Sequence, residues 1–184
     1  MNYQDRSFLM NLYPLQSTGA EIGVWEGVFA KELMYSNPPK KMYLIDPFLY
    51  IEEYSQSAYG NKNMSQKIMN EKFQMLKKKF KNEIKHGIVE VLRKKSDEAL
   101  NDIEDASLDW VYIDGNHSYD YALNDLKSFY KKVKQGGLIT GDDYGTIGWW
   151  NKGVTKAVDT FLTLKEYKTE LFMIKNKQYI IKKT

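Results

Sequence analysis

The feature that most constrains this chain is the alternation of short apolar runs with longer segments whose apolar residues recur every three or four positions. Short apolar runs are typical of buried strands, and the three-to-four spacing is typical of helices with one buried face. Such repeated alternation predicts a mostly parallel sheet covered by helices on both faces. We therefore expect an α/β fold built in three layers.

The predicted elements follow one another with short connections. The predicted strands are residues 20–24, 41–46, 88–94, 108–114 and 138–143. The predicted helices are residues 28–35, 64–84, 96–103, 119–133 and 154–164, with Ser96 as the N-cap of the third and Gly136 and Gly137 ending the fourth. Two final strands, 169–174 and 178–183, flank a turn at 175–177 and form a hairpin, so one strand near an edge runs antiparallel.

Length and composition indicate one domain in a reducing compartment. The 184 residues match one ordinary domain, and no linker or internal repeat divides them. We expect residues 1–184 to form it, with 1–18 as an N-terminal leader or helix and the Tyr-rich segment 49–62 as a lid-like insertion. The chain has no cysteine, no run of eighteen apolar residues and no signal peptide, which predicts a cytoplasmic protein without membrane contact.

The charge pattern argues against nucleic acid as a partner. The net charge of +3 comes from 27 basic and 24 acidic residues, and this near balance supplies no general attraction to phosphates. Only Arg6 and Arg93 are arginines, although arginine is the preferred side chain for recognising bases. We expect a small-molecule partner, and the sequence leaves the oligomeric state open.

The carboxyl end of the first predicted strand carries the segment EIGVWEG, residues 21–27. Ligands bind at this end of the strands in open α/β sheets. Gly23 and Gly27 leave room for a ligand near the backbone, but their spacing is not the GxGxxG pattern that binds a pyrophosphate. The Glu21 carboxylate suits a cationic ligand. The alternative is a plain tight turn with Glu21 facing solvent.

Asp46 ends the second predicted strand. An acid about twenty residues beyond the glycine turn is placed to accept hydrogen bonds from two ribose hydroxyls, although it could instead cap a helix or turn. A ligand with a cationic amino-acid end and an adenosine end would satisfy both Glu21 and Asp46. S-adenosylmethionine is such a ligand, whereas a nicotinamide dinucleotide would need the missing glycines.

A second acidic group follows the fourth and fifth predicted strands. Asp114 ends one, and Asp142 and Asp143 end the other. Carboxylates brought together repel unless a proton or a cation relieves them, and oxygen ligands suit Mg²⁺ or Ca²⁺. Alternatively, one of the paired aspartates caps the next loop, because adjacent strand residues point in opposite directions unless the chain bends. His117, in the turn after Asp114, could accept a proton from a hydroxyl or only order its loop.

Aromatic residues lie on loops at the same end of the predicted sheet. They are Tyr50, Tyr54 and Tyr59 in the insertion, and Tyr144, Trp149 and Trp150 after the fifth strand. Exposed aromatic rings can stack on a sugar or ring substrate or form a lid. They can equally pack against each other or at a subunit interface. We take the three that follow the fifth strand as candidate substrate contacts.

Taken together, these motifs resemble the class I S-adenosylmethionine-dependent methyltransferases, and most closely the small family that includes metal-dependent macrolide and aminocoumarin sugar O-methyltransferases. The matching segments are EIGVWEG at 21, LIDPF at 44, KKSDEAL at 94, LDWVYIDGNHSYDYALNDL at 108, GGLITGDDY at 136 and GVTKAVDTF at 153. IDGNHSY followed by GGxIxxDDY is the specific part. The resemblance implies a Rossmann-like three-layer αβα sandwich, with a mostly parallel seven-stranded sheet and its last strand antiparallel.

Carried over residue by residue, the resemblance implies a set of site residues. It assigns a divalent ion to Asp114, Asp142 and Asp143. It assigns the cofactor to Glu21, Gly23, Val24, Gly27, Asp46, Ser96, Asp97 and Asp114, with the glycines near the methionine end and Ser96 or Asp97 beside the adenine. The chain is shorter at its amino terminus than the antibiotic enzymes, so the identity of their substrates is not carried over.

We therefore expect an S-adenosylmethionine-dependent methyltransferase that acts on a hydroxyl of a small molecule, sugar-like or phenolic, with Mg²⁺. Asp114 and His117 are the candidate catalytic residues. Two alternatives stay open. One is a metal-independent methyltransferase acting on nitrogen or RNA, and the other is a non-catalytic scaffold that binds S-adenosylmethionine.

Overall fold

A computed structural model describes residues 6–184, with the backbone alone for Leu171. Within that range the strands are β1 Thr18–Ile22, β2 Lys41–Ile45, β3 Val89–Leu92, β4 Leu108–Ile113, β5 Val133–Gly141, β6 Thr169–Lys175 and β7 Gln178–Lys183. The helices are α1 Ser7–Met10, α2 Val28–Ser36, α3 Gln66–Lys79, α4 Lys81–Lys85, α5 Ser96–Ala99, α6 Tyr119–Lys132 and α7 Gly153–Thr163. Short 3-10 turns occupy Glu52–Tyr54 and Leu100–Asp102.

The strands form one sheet in the order β3-β2-β1-β4-β5-β7-β6. Strands β1 to β5 are parallel, and β7 runs antiparallel to β5 and β6. This confirms the predicted Rossmann-like α/β fold. The chain builds outward from β1 to β3 and then returns to place β4 beside β1. The order of strands therefore reverses between β1 and β4, and their carboxyl ends border the crevice in which such sheets bind ligands.

Strand β4 shows how the core is divided between the two faces of the sheet. Its side chains alternate, so Trp110 and Tyr112 pack on one face while Val111 and Ile113 pack on the other. The first face is covered by α2 and α3, and the second by α6 and α7. Gly19 on β1 is needed beside this strand, because a Cβ there would lie 2.0 Å from the Trp110 ring. A sheet covered on both faces explains why the central strand β4 is mostly apolar.

Two helix boundaries differ from prediction. The glycine pair does not end α6, because the helix stops at Lys132 and Gly136 and Gly137 lie within β5. Gly136 has φ +75°, and the pairing register of β4 with β5 shifts nearby, which marks a bulge. The predicted helix 64–84 is also divided, since Phe80 separates α3 from α4.

None of the helices within residues 6–184 combines the length and apolarity that a membrane span requires.

Candidate functional site

The turn after β1 is held tightly between its two neighbouring strands. The Gly23 amide donates to the Ile45 carbonyl at 2.9 Å. Gly23 has φ +82°, and a Cβ there would lie 2.0 Å from the Asp114 carbonyl oxygen. A side chain at this position would therefore separate the ends of β1 and β4. Gly23 has a packing role in addition to the ligand role predicted for it.

Val24 and Gly27 also serve packing in this turn. Val24 is buried among the residues under α2 and α3. Gly27 has φ +66°, and a Cβ there would lie 2.5 Å from the Leu76 side chain on α3. Because these contacts face the core, only the backbone of Val24 and Gly27 is left to meet a ligand.

Glu21 on β1 is a buried acid, so the alternative in which it faces solvent is wrong. Its side chain is 3% exposed, and its Oε2 has no hydrogen-bond partner among the described residues. Burial, followed by the charge of Asp114, raises the pKa of Glu21 well above its usual value. The charge of Arg6 and a hydrogen bond from the Ala30 backbone oppose that rise. A buried carboxylate oxygen without a partner is still costly, and a cation in the crevice would reduce that cost.

Asp46, directly after β2, is completely buried and already hydrogen-bonded. Its Oδ1 accepts from the Phe48 amide at 2.8 Å, and its Oδ2 accepts from the Trp25 amide at 2.9 Å and the Tyr59 hydroxyl at 2.6 Å. Burial raises the pKa of Asp46, and these donors oppose that rise. The predicted turn-capping role is therefore present, and it fixes Asp46 beside the turn of β1.

The acids after β4 and β5 lie together, and Arg6 lies between two of them. Arg6 donates to Asp114 Oδ2 at 3.2 Å and to Asp142 Oδ2 at 2.5 Å. Its guanidinium carbon is 5.5 Å from the centre of the Tyr112 ring. Asp142 also accepts from Gln178 Nε2 at 2.5 Å. Burial and the charge of Asp114 raise the pKa of Asp142 to about 6.

Asp143 joins the cluster because the chain bends after β5. Its φ is +65°, and its amide donates to Asp142 Oδ1 at 2.7 Å. The bend brings Asp143 Oδ2 to 3.3 Å from His117 Nε2, which is also 3.3 Å from Asp114 Oδ1. Burial lowers the pKa of His117, but the hydrogen bond and charge of Asp114, with Asp143 and Asp142, outweigh it and raise that pKa.

The turn that carries His117 is braced by α7. A Cβ on Gly153, the first residue of α7, would lie 2.3 Å from the His117 carbonyl oxygen. Ser118 is held in the same turn, because its amide donates to Asn116 Oδ1 at 2.9 Å. This close approach explains why a glycine opens the segment GVTKAVDTF.

A metal ion does not fit the acids as this structure arranges them. In the part of the chain that the structure describes, no three acidic or histidine side chains are placed to hold a metal ion. The donors are carboxylate oxygens of the kind that suits Mg²⁺. However, Arg6 takes one oxygen from each of Asp114 and Asp142, and His117 contacts Asp143. The Arg6 guanidinium supplies positive charge to Asp114 and Asp142.

Ser96 and Asp97 lie beyond the end of β3 and have separate environments. The N-cap of α5 is Lys95, so the prediction of Ser96 at that position is wrong. The Ser96 hydroxyl donates to Asp125 Oδ1 at 2.5 Å. Asp97 is exposed, and its Oδ1 accepts from the Glu98 amide. The partner Asp125 escaped sequence analysis. The sequence did contain a signal for it, because Asp125 lies beside Leu126 on the apolar stripe of α6, where a charged residue is unexpected.

The buried Asp125 should make stability depend on pH. Burial raises its pKa from 3.8 to about 7, so the folded protein holds a proton that the unfolded chain has lost between these values. We expect the free energy of unfolding to fall as pH rises through this window, by up to about 1.4 kcal/mol per pH unit. Asp125→Asn should reduce the slope in urea titrations from pH 4 to 7. Equal slopes for both proteins would contradict this.

The aromatic loops contact one another across the acidic cluster. The Tyr54 and Trp149 rings stack with centres 6.3 Å apart, and Trp150 contacts both Trp149 and His117. Trp149 is 38% exposed. Tyr144 differs, because its hydroxyl donates to Asp159 on α7, away from His117. The structure thus brings Trp149 and Trp150 to the crevice and turns Tyr144 toward α7.

The insertion rings have different surroundings. Tyr59 reaches Asp46, whereas Tyr50 packs on the core and its amide donates to Gln66. Sequence analysis placed them on one loop but did not distinguish them. Arg6 was the other site residue that was missed. Arg6 lies in the predicted leader, and nothing in the sequence indicates where that leader packs.

Comparisons with known proteins agree with this architecture. A protein of Staphylococcus aureus described as a caffeoyl-CoA O-methyltransferase superposes with a TM-score of 0.65 at 15% identity, over 97% of this chain and 80% of that one. A Streptococcus mutans protein described as a methyltransferase, solved in complex with S-adenosylhomocysteine, superposes with a TM-score of 0.62 at 12% identity, over 97% and 94%. At these identities the likeness shows the shared fold.

Sequence comparison gives a family. An uncharacterized protein of Acanthamoeba polyphaga mimivirus is 30% identical over 137 residues, which are 72% of this chain and 53% of that protein. The chain thus spans about half the length of this curated relative. Residues 20–144 match the family model described as a methyltransferase domain. That match runs from within β1 through the acids after β5, and the chain therefore belongs to the methyltransferase-domain family.

Proposed function

We propose that this protein is an S-adenosylmethionine-dependent methyltransferase that acts on a hydroxyl of a small sugar-like or phenolic molecule. The observation that carries the proposal is the buried carboxylate of Glu21 where the strand order reverses, whose Oε2 has no hydrogen-bond partner among the described residues, with Asp46 at the neighbouring strand end. A cationic amino-acid group would neutralise Glu21, and a ribose would supply hydroxyl donors to Asp46. The Streptococcus mutans neighbour, which binds S-adenosylhomocysteine, supports this choice.

The proposed cofactor contacts follow from the positions of these residues. The backbone of Gly23, Val24 and Gly27 would line the methionine end. The Val24 side chain is in the core, and the Cα atoms of both glycines lie against neighbouring residues. Asp46 would hold the ribose, and Ser96 or Asp97 would lie beside the adenine. Asp114 would complete the pocket next to Glu21, whose pKa its charge already raises.

Methyl transfer is an in-line displacement. The acceptor oxygen forms a bond to the methyl carbon while the carbon–sulfur bond breaks, and the sulfur keeps that electron pair. The hydroxyl proton must leave, and His117 is the base that we propose, with Asp114 and Asp143 orienting its ring and stabilising the imidazolium. Much of the rate enhancement should come from alignment of oxygen, carbon and sulfur. Trp149 and Trp150 would flank the acceptor.

A divalent ion is a further part of the proposal. Asp114, Asp142 and Asp143 would hold Mg²⁺ only if Arg6 left Asp114 and Asp142, and the ion would then supply charge that polarises the acceptor hydroxyl. The oxygen donors of the three aspartates support this. So does the motif pair IDGNHSY and GGLITGDDY, through which the sequence resembles the sugar O-methyltransferases. Arg6 favours the second candidate, a metal-independent methyltransferase in which the guanidinium neutralises the acids.

One assay separates these candidates. The purified protein is incubated with S-adenosylmethionine labelled in its methyl group and a panel of sugars, phenols, amines and RNA, with Mg²⁺ or with excess chelator. We expect transfer to a hydroxyl that requires Mg²⁺. Equal transfer in chelator would identify the metal-independent enzyme. Cofactor binding without transfer to any acceptor, including amines and RNA, would identify a binding scaffold.

We also propose a cytoplasmic location, which the cysteine-free composition supports.

A further inference from the structure

Two of the acids assigned to the cofactor, Glu21 and Asp46, are almost completely buried in this structure. Glu21 is 3% exposed and Asp46 is 0% exposed. Tyr59 covers Asp46, and its hydroxyl donates to Asp46 Oδ2 at 2.6 Å. The centre of the Tyr59 ring is 5.2 Å from the centre of the Trp25 ring. A ligand can therefore reach Asp46 only if a group that now covers it moves. Trp25 and Phe48 donate to Asp46 from backbone amides, whereas Tyr59 donates from a side chain, which can leave Asp46 without a change in the strand ends.

The segment that carries Tyr59 is a loop closed by its own hydrogen bonds. The Ile51 amide donates to the Tyr59 carbonyl at 3.1 Å, and the Tyr59 amide donates to Ser57 Oγ at 3.1 Å. Gly60 fits closely, because a Cβ there would lie 2.0 Å from the Ile51 carbonyl oxygen. These internal contacts brace the loop as one unit. Its side-chain contacts outside itself include Tyr59 on Asp46 and Tyr54 on Trp149.

We propose that Tyr59 occupies the ribose position in the cofactor-free protein and that S-adenosylmethionine must displace it to bind. The proposal rests on the function proposed above, because it takes Asp46 as the acceptor of the ribose hydroxyls. The Tyr59 hydroxyl supplies the same kind of donor to the same carboxylate, so the loop and the cofactor compete. Burial and the charge of Asp46 raise the pKa of Tyr59, which keeps this hydroxyl protonated as a donor.

Displacement would also reach the acceptor side of the crevice. Tyr54 lies on the same loop and stacks on Trp149, a proposed acceptor contact. When Tyr59 leaves Asp46, the loop carries Tyr54 with it and frees one face of the Trp149 ring. The cofactor would then bind before the acceptor.

Tyr59→Phe tests the proposal, because it keeps the ring and removes the competing hydroxyl. We expect S-adenosylhomocysteine to bind about tenfold more tightly in calorimetry, which corresponds to about 1.4 kcal/mol. Without ligand the variant should melt at a lower temperature than wild type, whereas at saturating S-adenosylhomocysteine the two should melt together, because Tyr59 makes no bond to Asp46 in the bound state. Tyr35→Phe, at a residue 93% exposed, is the matched control and should change neither measurement.

The outcomes separate this proposal from the proposed function. If wild type binds and Tyr59→Phe binds equally or less tightly, with a lower melting temperature in both states, Tyr59 belongs to the bound site and the competition is refuted. If neither protein binds S-adenosylhomocysteine, the proposed function fails and this proposal fails with it.

Discussion

Asp46→Asn should weaken the binding of S-adenosylhomocysteine by about 100-fold or more, the largest effect on affinity that we expect from one substitution. A ribose would give two hydrogen bonds to this carboxylate, and bonds to a charged group contribute about 1.5–3 kcal/mol each. The asparagine amide has a single acceptor oxygen, and its NH₂ would face either the Phe48 amide or the Trp25 amide, which are both donors. Calorimetry measures the affinity directly.

The matched control for this substitution is Asp105→Asn. Asp105 has a side chain that is 70% exposed and pairs with Lys132, far from the crevice. It should leave affinity unchanged, and circular dichroism melting of both variants establishes that they are folded. Affinity in Asp46→Asn within about threefold of wild type would exclude Asp46 as the ribose acceptor.

Asp143→Asn should abolish most turnover while leaving cofactor affinity almost unchanged. Asp143 contacts His117 and lies beside Asp142, on the acceptor side of the cluster. Loss of its charge removes an orienting contact of the proposed base and one proposed Mg²⁺ ligand. Removal of base catalysis alone costs about 100- to 10,000-fold. Initial rates of labelled methyl transfer measure the loss, and calorimetry with S-adenosylhomocysteine measures affinity.

The same Asp105→Asn control should keep full turnover. Normal turnover in Asp143→Asn would exclude a role for this acid in either proton transfer or metal binding. A loss of cofactor affinity in parallel with turnover would instead place Asp143 in the cofactor pocket, contrary to the division of the crevice proposed here.

The sheet was predictable because its cause is local. Parallel strands buried on both faces are apolar along most of their length, and β2 and β4 stand out for that reason. Once these strands are recognised, Asp46 and Asp114 follow at their carboxyl ends, and the crossover rules bring such ends to one edge of the sheet. Adjacent strand residues such as Asp142 and Asp143 can lie in one cluster only if the chain bends between them. The positive φ of Asp143 supplies that bend.

The remaining features depend on packing between segments that are distant in the chain. Arg6 lies 108 residues from Asp114, and no periodicity links the two. Tyr59 is one of several tyrosines in its loop, and only the folded path of that loop selects it for Asp46. The error at Gly136 has a local cause, since a glycine after a helix is typical of a helix end and also of a bulge.

The central claim is that the carboxyl ends of β1, β2 and β4 bind an adenosyl sulfonium cofactor. A crystal structure of the protein with S-adenosylhomocysteine tests it most directly. The account predicts the ribose hydroxyls within hydrogen-bonding distance of Asp46, the amino-acid end beside Glu21, and the Tyr59 hydroxyl away from Asp46. Ligand bound elsewhere on the protein, with Glu21 and Asp46 still covered as they are here, would contradict it.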